Sequence, residues 1–194
     1  MKKSAWLILL GVVVILGVWL AGSYNGFIAS KANVDGQWAQ VETQYQRRFD
    51  LIPNLVATTK GNAKFEQETF TGIAQARSGW AQAKDTGNRD QQIDAAEQFD
   101  AAFTPALSRI MLTFEAYPEL KANASFASLM TELTGTENRI AVARKDYNES
   151  VKSYNVRVQS FPGSLLAGIF GFRQEKFFQS AAGSETAPTV NFNN

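Results

Sequence analysis

Between Ser4 and Ser30 the chain carries no charged side chain, and from Ala5 to Ala21 it is apolar almost without interruption, AWLILLGVVVILGVWLA. A helix that crosses a bilayer needs roughly 20 apolar residues, with about 17 at the low end. This run therefore predicts a single transmembrane helix at the N-terminus. Trp6 and Trp19 stand near its two ends, as interfacial aromatic residues do. A cleaved signal peptide is the competing reading, since Lys2 and Lys3, the apolar run and the small residues Ala21, Gly22 and Ser23 follow in signal-peptide order. The length of the run favours an uncleaved anchor. Lipidation is disfavoured, because Ser23 occupies the place of the cysteine that a lipoprotein site requires. Two lysines precede the run and only Lys31 follows soon after, which predicts a cytoplasmic N-terminus with the rest of the chain on the other side.

The remaining length suffices for one domain with a sizeable core. Its charge is close to balanced: Lys2, Lys3 and Lys31 account for three of the 19 basic residues, leaving 16 against 18 acidic ones. Nucleic-acid binding relies on clustered Lys and Arg, so that class is disfavoured. The chain has no cysteine and no histidine. Disulfides, Cys/His zinc sites and Ser-His-Asp or Cys-His catalysis are thereby excluded.

Beyond the run, Val34, Trp38, Val41, Tyr45, Phe49, Ile52 and Val56 recur in steps of three and four, which is helical spacing. The phase continues through Ile73 and Trp80 to a turn at Asp85-Thr86-Gly87-Asn88. A second run carries Ile93, Phe99, Phe103, Leu107 and Ile110, and ends in EAYPEL, residues 115–120. A third carries Phe126, Leu133, Ile140, Tyr147, Val151, Tyr154 and Val158, and stops at Pro162-Gly163. No alternating strand pattern competes. The fold expected is all-α: the transmembrane helix, then a long antiparallel bundle of three helices, or four if the first breaks near Gly61. The organisation expected is an anchor over residues 1–30, the bundle over 31–178 and a disordered tail over 179–194.

Three stretches, WAQVETQYQRRFDLIPNLV, TGTENRIAVARKDYNESVKSYN and FPGSLLAGIFGFRQEKFF, together with the N-terminal span, resemble the LemA family. The resemblance covers most of the chain. It implies a bacterial, membrane-anchored helical bundle in the cell envelope, and it supplies no reaction and no catalytic residues.

The candidate structural or interaction positions lie in those stretches. Arg47, Arg48 and Asp50 read as a solvated charged face beside a bend at Pro53; a sharper reading has one arginine reaching an acidic face of a neighbouring helix and fixing register. A phosphate or lipid-headgroup site is a third option. Asp50 is also compatible with a local N-cap at the bend. Arg139 and Arg144 lie in the second stretch, followed by a seven-residue echo, Tyr147-Asn148 and Tyr154-Asn155, which places both pairs on one helical face. That echo reads as a polar seam inside the bundle, with a ligand groove as the alternative. Phe161, Phe170 and Phe172 read as a cap on the bundle end, or else as a surface for a partner or membrane.

Asp90, Asp94 and Glu97 share helical spacing but make no recognisable acid–base pair. No cofactor, metal or catalytic group is expected. The function expected is a non-enzymatic scaffold or adaptor, single-pass in the bacterial inner membrane, with its bundle on the periplasmic or extracytoplasmic side. Its partners would be the membrane, through the N-terminal helix, and an unidentified envelope protein; a homo-oligomer is also compatible. Membrane-surface binding or remodelling through the C-terminal apolar stretch is the alternative, and a carboxylate-based hydrolase a weaker one.

Overall fold

The computed structural model describes residues 2–59, 67–116 and 123–179. All regular structure among them is helical: α1 Lys2–Thr59, α2 Gln67–Asp85, α3 Arg89–Ala116, α4 Ala124–Gln159 and α5 Gly163–Phe170. Among the described residues α1 alone is long and apolar enough to cross a membrane, and none of its apolar window is covered by protein.

That apolar run and the first amphipathic stripe belong to one helix of 58 residues. Pro53 lies inside α1 on its exposed side, although it cannot donate to the Phe49 carbonyl one turn back. Asp50 is consequently not an N-cap. The helix does not restart there, so no orphan amides need capping, and Asp50 Oδ1 instead accepts from Gln46 Nε2 at 2.9 Å. The choice between one helix and two at Gly61 falls on residues 60–66, outside the described residues. So does most of EAYPEL, since α3 extends to Ala116.

The turn at residues 86–88 forms where the sequence places it. Gly87 has φ +64°, a left-handed conformation that glycine adopts without steric cost. Asn88 caps α3, its Oδ1 accepting from the amides of Asp90 and Gln91 at 3.0 and 3.3 Å. Asn123 starts α4 in the same way, bonding the amides of Ser125 and Phe126. One helix was not anticipated from the sequence. The apolar stretch after Phe161 forms α5, closed by Gly171 at φ +78°; the amides of Gly171 and Phe172 both bond the Ala167 carbonyl.

The chain divides into two compact units, each taking part of α1 and part of α4. The first comprises Met1–Thr43 and Ile140–Phe177. Within it, Trp38 meets Tyr147 edge-on at 5.5 Å, and Arg157 lies against Gly26. Numbers that rise along α1 thus fall along α4, the antiparallel sense. Phe27, Val34, Val41, Val151, Tyr154 and Leu166 are buried here. The second unit comprises Gln44–Arg139 and Phe178–Asn194. Its core holds Tyr45, Phe49, Trp80, Ile93, Phe99, Phe103, Phe126 and Leu133. Trp80 of α2 stacks on Tyr45 at 5.0 Å, and Phe49 meets Phe99 of α3 edge-on at 4.7 Å.

Candidate functional site

Two constellations gather the polar side chains of the resembling stretches. The first, in the second unit, centres on Arg48. A place on α1 between Tyr45 and Phe49 turns its side chain inward, where it is 1% exposed. Arg48 thus departs from the solvated-face expectation. Nη1 donates to Asp100 Oδ1 of α3 at 2.6 Å, and Nη2 to Glu137 Oε2 of α4 at 3.1 Å. Nε and Glu137 Oε1 approach to 2.8 Å as an ion pair, off the line of a hydrogen bond. The other Asp100 oxygen accepts from the Tyr45 hydroxyl at 2.8 Å. The guanidinium also lies 4.9 Å from the Tyr45 ring centroid, 5.3 Å from that of Phe99 and 5.1 Å from that of Phe103. Aromatic faces attract cations at such distances.

One cation faces two carboxylates in this cage. Burial is the largest influence on Glu137 and raises its pKa above the ordinary carboxylate value; Arg48 opposes the rise and Asp100 adds to it. The sign for stability follows. A carboxyl with a raised folded-state pKa binds more protons when folded, so its contribution falls as pH rises from the unfolded value of 4.5 through the higher folded one. Glu137→Gln should remove that slope: the melting temperature of wild type relative to the variant should decline across this window. A constant difference would rule out a raised Glu137.

Arg47, one position back, points to water and pairs with Glu132 Oε1 of α4 at 2.7 Å, the two side chains being 47% and 42% exposed. Exposed pairs contribute about 0–1 kcal/mol, so Arg47→Ala should shift denaturant unfolding by no more than that. Asp100 and Glu137 were not singled out in the sequence. Asp100 carried a faint signal, an acidic residue directly after Phe99 in an otherwise apolar stripe. Among the described residues no group of three acidic side chains could hold a metal ion.

The second constellation lies in the first unit and is built on the Tyr-Asn echo of α4. Tyr147, Tyr154 and Asn155 are buried, and Asn148 is half-buried. Tyr147 and Asn155 hydrogen-bond the backbone of the segment 172–177 that follows α5. Asn155 Nδ2 donates to the Glu175 carbonyl at 2.8 Å, and its Oδ1 accepts from the Glu175 amide at 2.9 Å. The Tyr147 hydroxyl donates to the Lys176 carbonyl at 3.0 Å. Burial, then Glu175 and Asp35, raise the Tyr154 pKa above its usual value, against a hydrogen bond with the Arg173 backbone. Lys31 of α1 holds the Glu175 side chain from the other side. The repeat therefore straps the segment after α5 down along α4.

The three phenylalanines separate. The Phe172 ring stacks on Phe27 at 4.9 Å, and Phe170 meets Tyr24 edge-on at 5.1 Å, so both pack on α1. Phe161 is 81% exposed and caps nothing. Arg139 is exposed and Arg144 half-buried. Asp94 lines a groove of about 620 Å³ between α2 and α3 together with Gly72, Ala76 and Gly79, while Glu97 accepts from the Gln179 amide at 2.8 Å.

Comparison with known proteins places these features in a family. The chain is 28% identical over 182 residues to magnetosome protein MamQ of Magnetospirillum gryphiswaldense, covering 84% of this chain and 67% of the relative. Identity and coverage are the same for MamQ 1 of Paramagnetospirillum magneticum. It is also 21% identical over 160 residues to protein LemA of Metamycoplasma hominis, covering 82% and 70%. The profile of the LemA family matches residues 37–192, a span that takes in the Arg48 cage, the Tyr-Asn echo and α5. The chain belongs to the LemA family.

Proposed function

We propose that this protein is a non-enzymatic scaffold or adaptor of the bacterial cell envelope, anchored in the inner membrane by α1 and presenting its helical units on the extracytoplasmic side to an envelope protein. The observation that carries this reading is the continuity of α1: the exposed apolar run and the buried Phe27, Val34 and Trp38 lie on one unbroken helix. A run that continues without a break into the helix of the folded unit supports a retained anchor over a cleaved leader. The polar clusters support the same reading. The carboxylates of the Arg48 cage are engaged by an arginine and a tyrosine, an arrangement suited to fastening helices.

Two measurements test the proposal on the full chain in its native membrane. A reporter active only outside the cytoplasm, fused after Asn194, is expected to be active, and the fusion should resist alkaline extraction. Photo-crosslinkers at exposed positions on α2 and α4 are expected to yield one recurring envelope protein. An active cytoplasmic reporter would overturn the topology. Crosslinks only to other copies of the chain would overturn the adaptor role in favour of self-assembly.

A further inference from the structure

The last turns of the first unit place an apolar face at the level where the apolar run of α1 ends. Arg157 of α4 lies against Gly26, and α4 runs antiparallel to α1. The chain beyond Arg157 therefore heads toward the apolar run, leaves α4 after Gln159 and turns at Phe161-Pro162 into α5. The α5 helix lies beside residues 24–27 of α1. A side-chain carbon at Gly163 would touch the Phe27 ring at 3.5 Å, and Phe170 at the other end meets Tyr24 at 5.1 Å. At 1.5 Å per residue, Tyr24 and Phe27 lie roughly 4.5 and 9 Å past Ala21. The polar layer on each side of the hydrocarbon is roughly 5–8 Å thick.

The face that α5 turns away from the protein is apolar. Leu166 and Ala167 are buried against the unit, whereas Leu165 and Ile169, one helical turn apart, are 61% and 75% exposed, and Phe161, in the turn just before α5, is 81% exposed. Exposed aromatic and aliphatic side chains in a row mark a contact surface. Arg157 and Arg173, both exposed, flank the face with positive charge, which favours anionic headgroups.

We propose that Phe161, Leu165 and Ile169 enter the boundary between headgroups and acyl chains of the same membrane that α1 crosses, giving the protein a second, interfacial attachment beside its span. The proposal rests on the anchor reading above. Lipid is the occupant because the face adjoins the end of the apolar run, at a depth where headgroups already surround α1.

The absence of cysteine in the native chain makes the test direct. Phe161→Cys, Leu165→Cys and Ile169→Cys in the full chain are labelled with a polarity-sensitive fluorophore and reconstituted in vesicles of phosphatidylcholine and phosphatidylglycerol. Val13→Cys serves as the control within the span and Lys152→Cys as the control in water. Labels at 161, 165 and 169 are expected to show blue-shifted emission, quenching by brominated acyl chains and loss of iodide quenching. The proposal is overturned if these three labels are quenched by iodide as at Lys152 while Val13 responds to bromolipid; the anchor then survives alone. It is also overturned if they are shielded from both quenchers, which would assign the face to a second copy of the chain. Iodide quenching at Val13 as well would overturn the anchor reading together with this one.

Discussion

Arg48→Ala should destabilise the protein by about 3–5 kcal/mol, the cost observed when one member of a buried ion pair is removed. The loss has three sources. Asp100 and Glu137 lose a partner held at 2.6 and 2.8 Å, which leaves two carboxylates facing each other across a partly desolvated space. The Tyr45, Phe99 and Phe103 rings lose the cation they surround. A cavity the size of the guanidinium and its stem opens among them. Urea unfolding of the detergent-solubilised full chain measures the change, followed by the fluorescence of Trp80, which stacks on Tyr45. A loss below about 1 kcal/mol would place Arg48 in the class of exposed pairs and contradict its burial. The triple variant Arg48→Met, Asp100→Asn, Glu137→Gln should recover a large part of the loss, because it removes the buried charges on both sides while keeping an apolar stem between the rings.

The second large effect is expected at Asn155. Asn155→Ala removes both hydrogen bonds that hold Glu175. Each is worth about 1 kcal/mol net, and a buried group left unpaired costs about 1–3 kcal/mol, so a total near 2–4 kcal/mol is expected. The effect should be local as well as global. Amide exchange at Glu175 should accelerate, and proteases should cut within residues 172–177 before they cut α4. An unchanged melt with unchanged exchange at Glu175 would show that the strap is held by Phe172 on Phe27 and by Lys31 without this side chain. Losing the strap also loosens the connection that keeps Phe170 on Tyr24, so the same variant should weaken the protection of the α5 labels from iodide.

Local pattern alone determined much of this protein. The apolar run from Ala5 to Ala21, inside an uncharged stretch from Ser4 to Ser30, marks a helix long and apolar enough to cross a membrane. Steps of three and four dictate helices, and Gly87 with Asn88, or Pro162 with Gly163, mark where the chain must turn. The absence of histidine and cysteine removed whole classes of chemistry without reference to any fold. Tertiary structure alone decided which polar residues matter. Arg47 and Arg48 are adjacent and chemically identical, yet a 100° step around α1 leaves one on the surface with Glu132 and seals the other among three rings. The partners of Arg48 are 52 and 89 positions away, beyond the reach of any local pattern. The echo of Tyr147-Asn148 in Tyr154-Asn155 was legible as a polar seam, but its partner was not: the bonds go to main-chain atoms of residues 175 and 176, and backbone carries no side-chain signature. The same holds for the phenylalanines. Composition makes Phe161, Phe170 and Phe172 equivalent, and only packing against Tyr24 and Phe27 separates the two that close onto α1 from the one left facing outward.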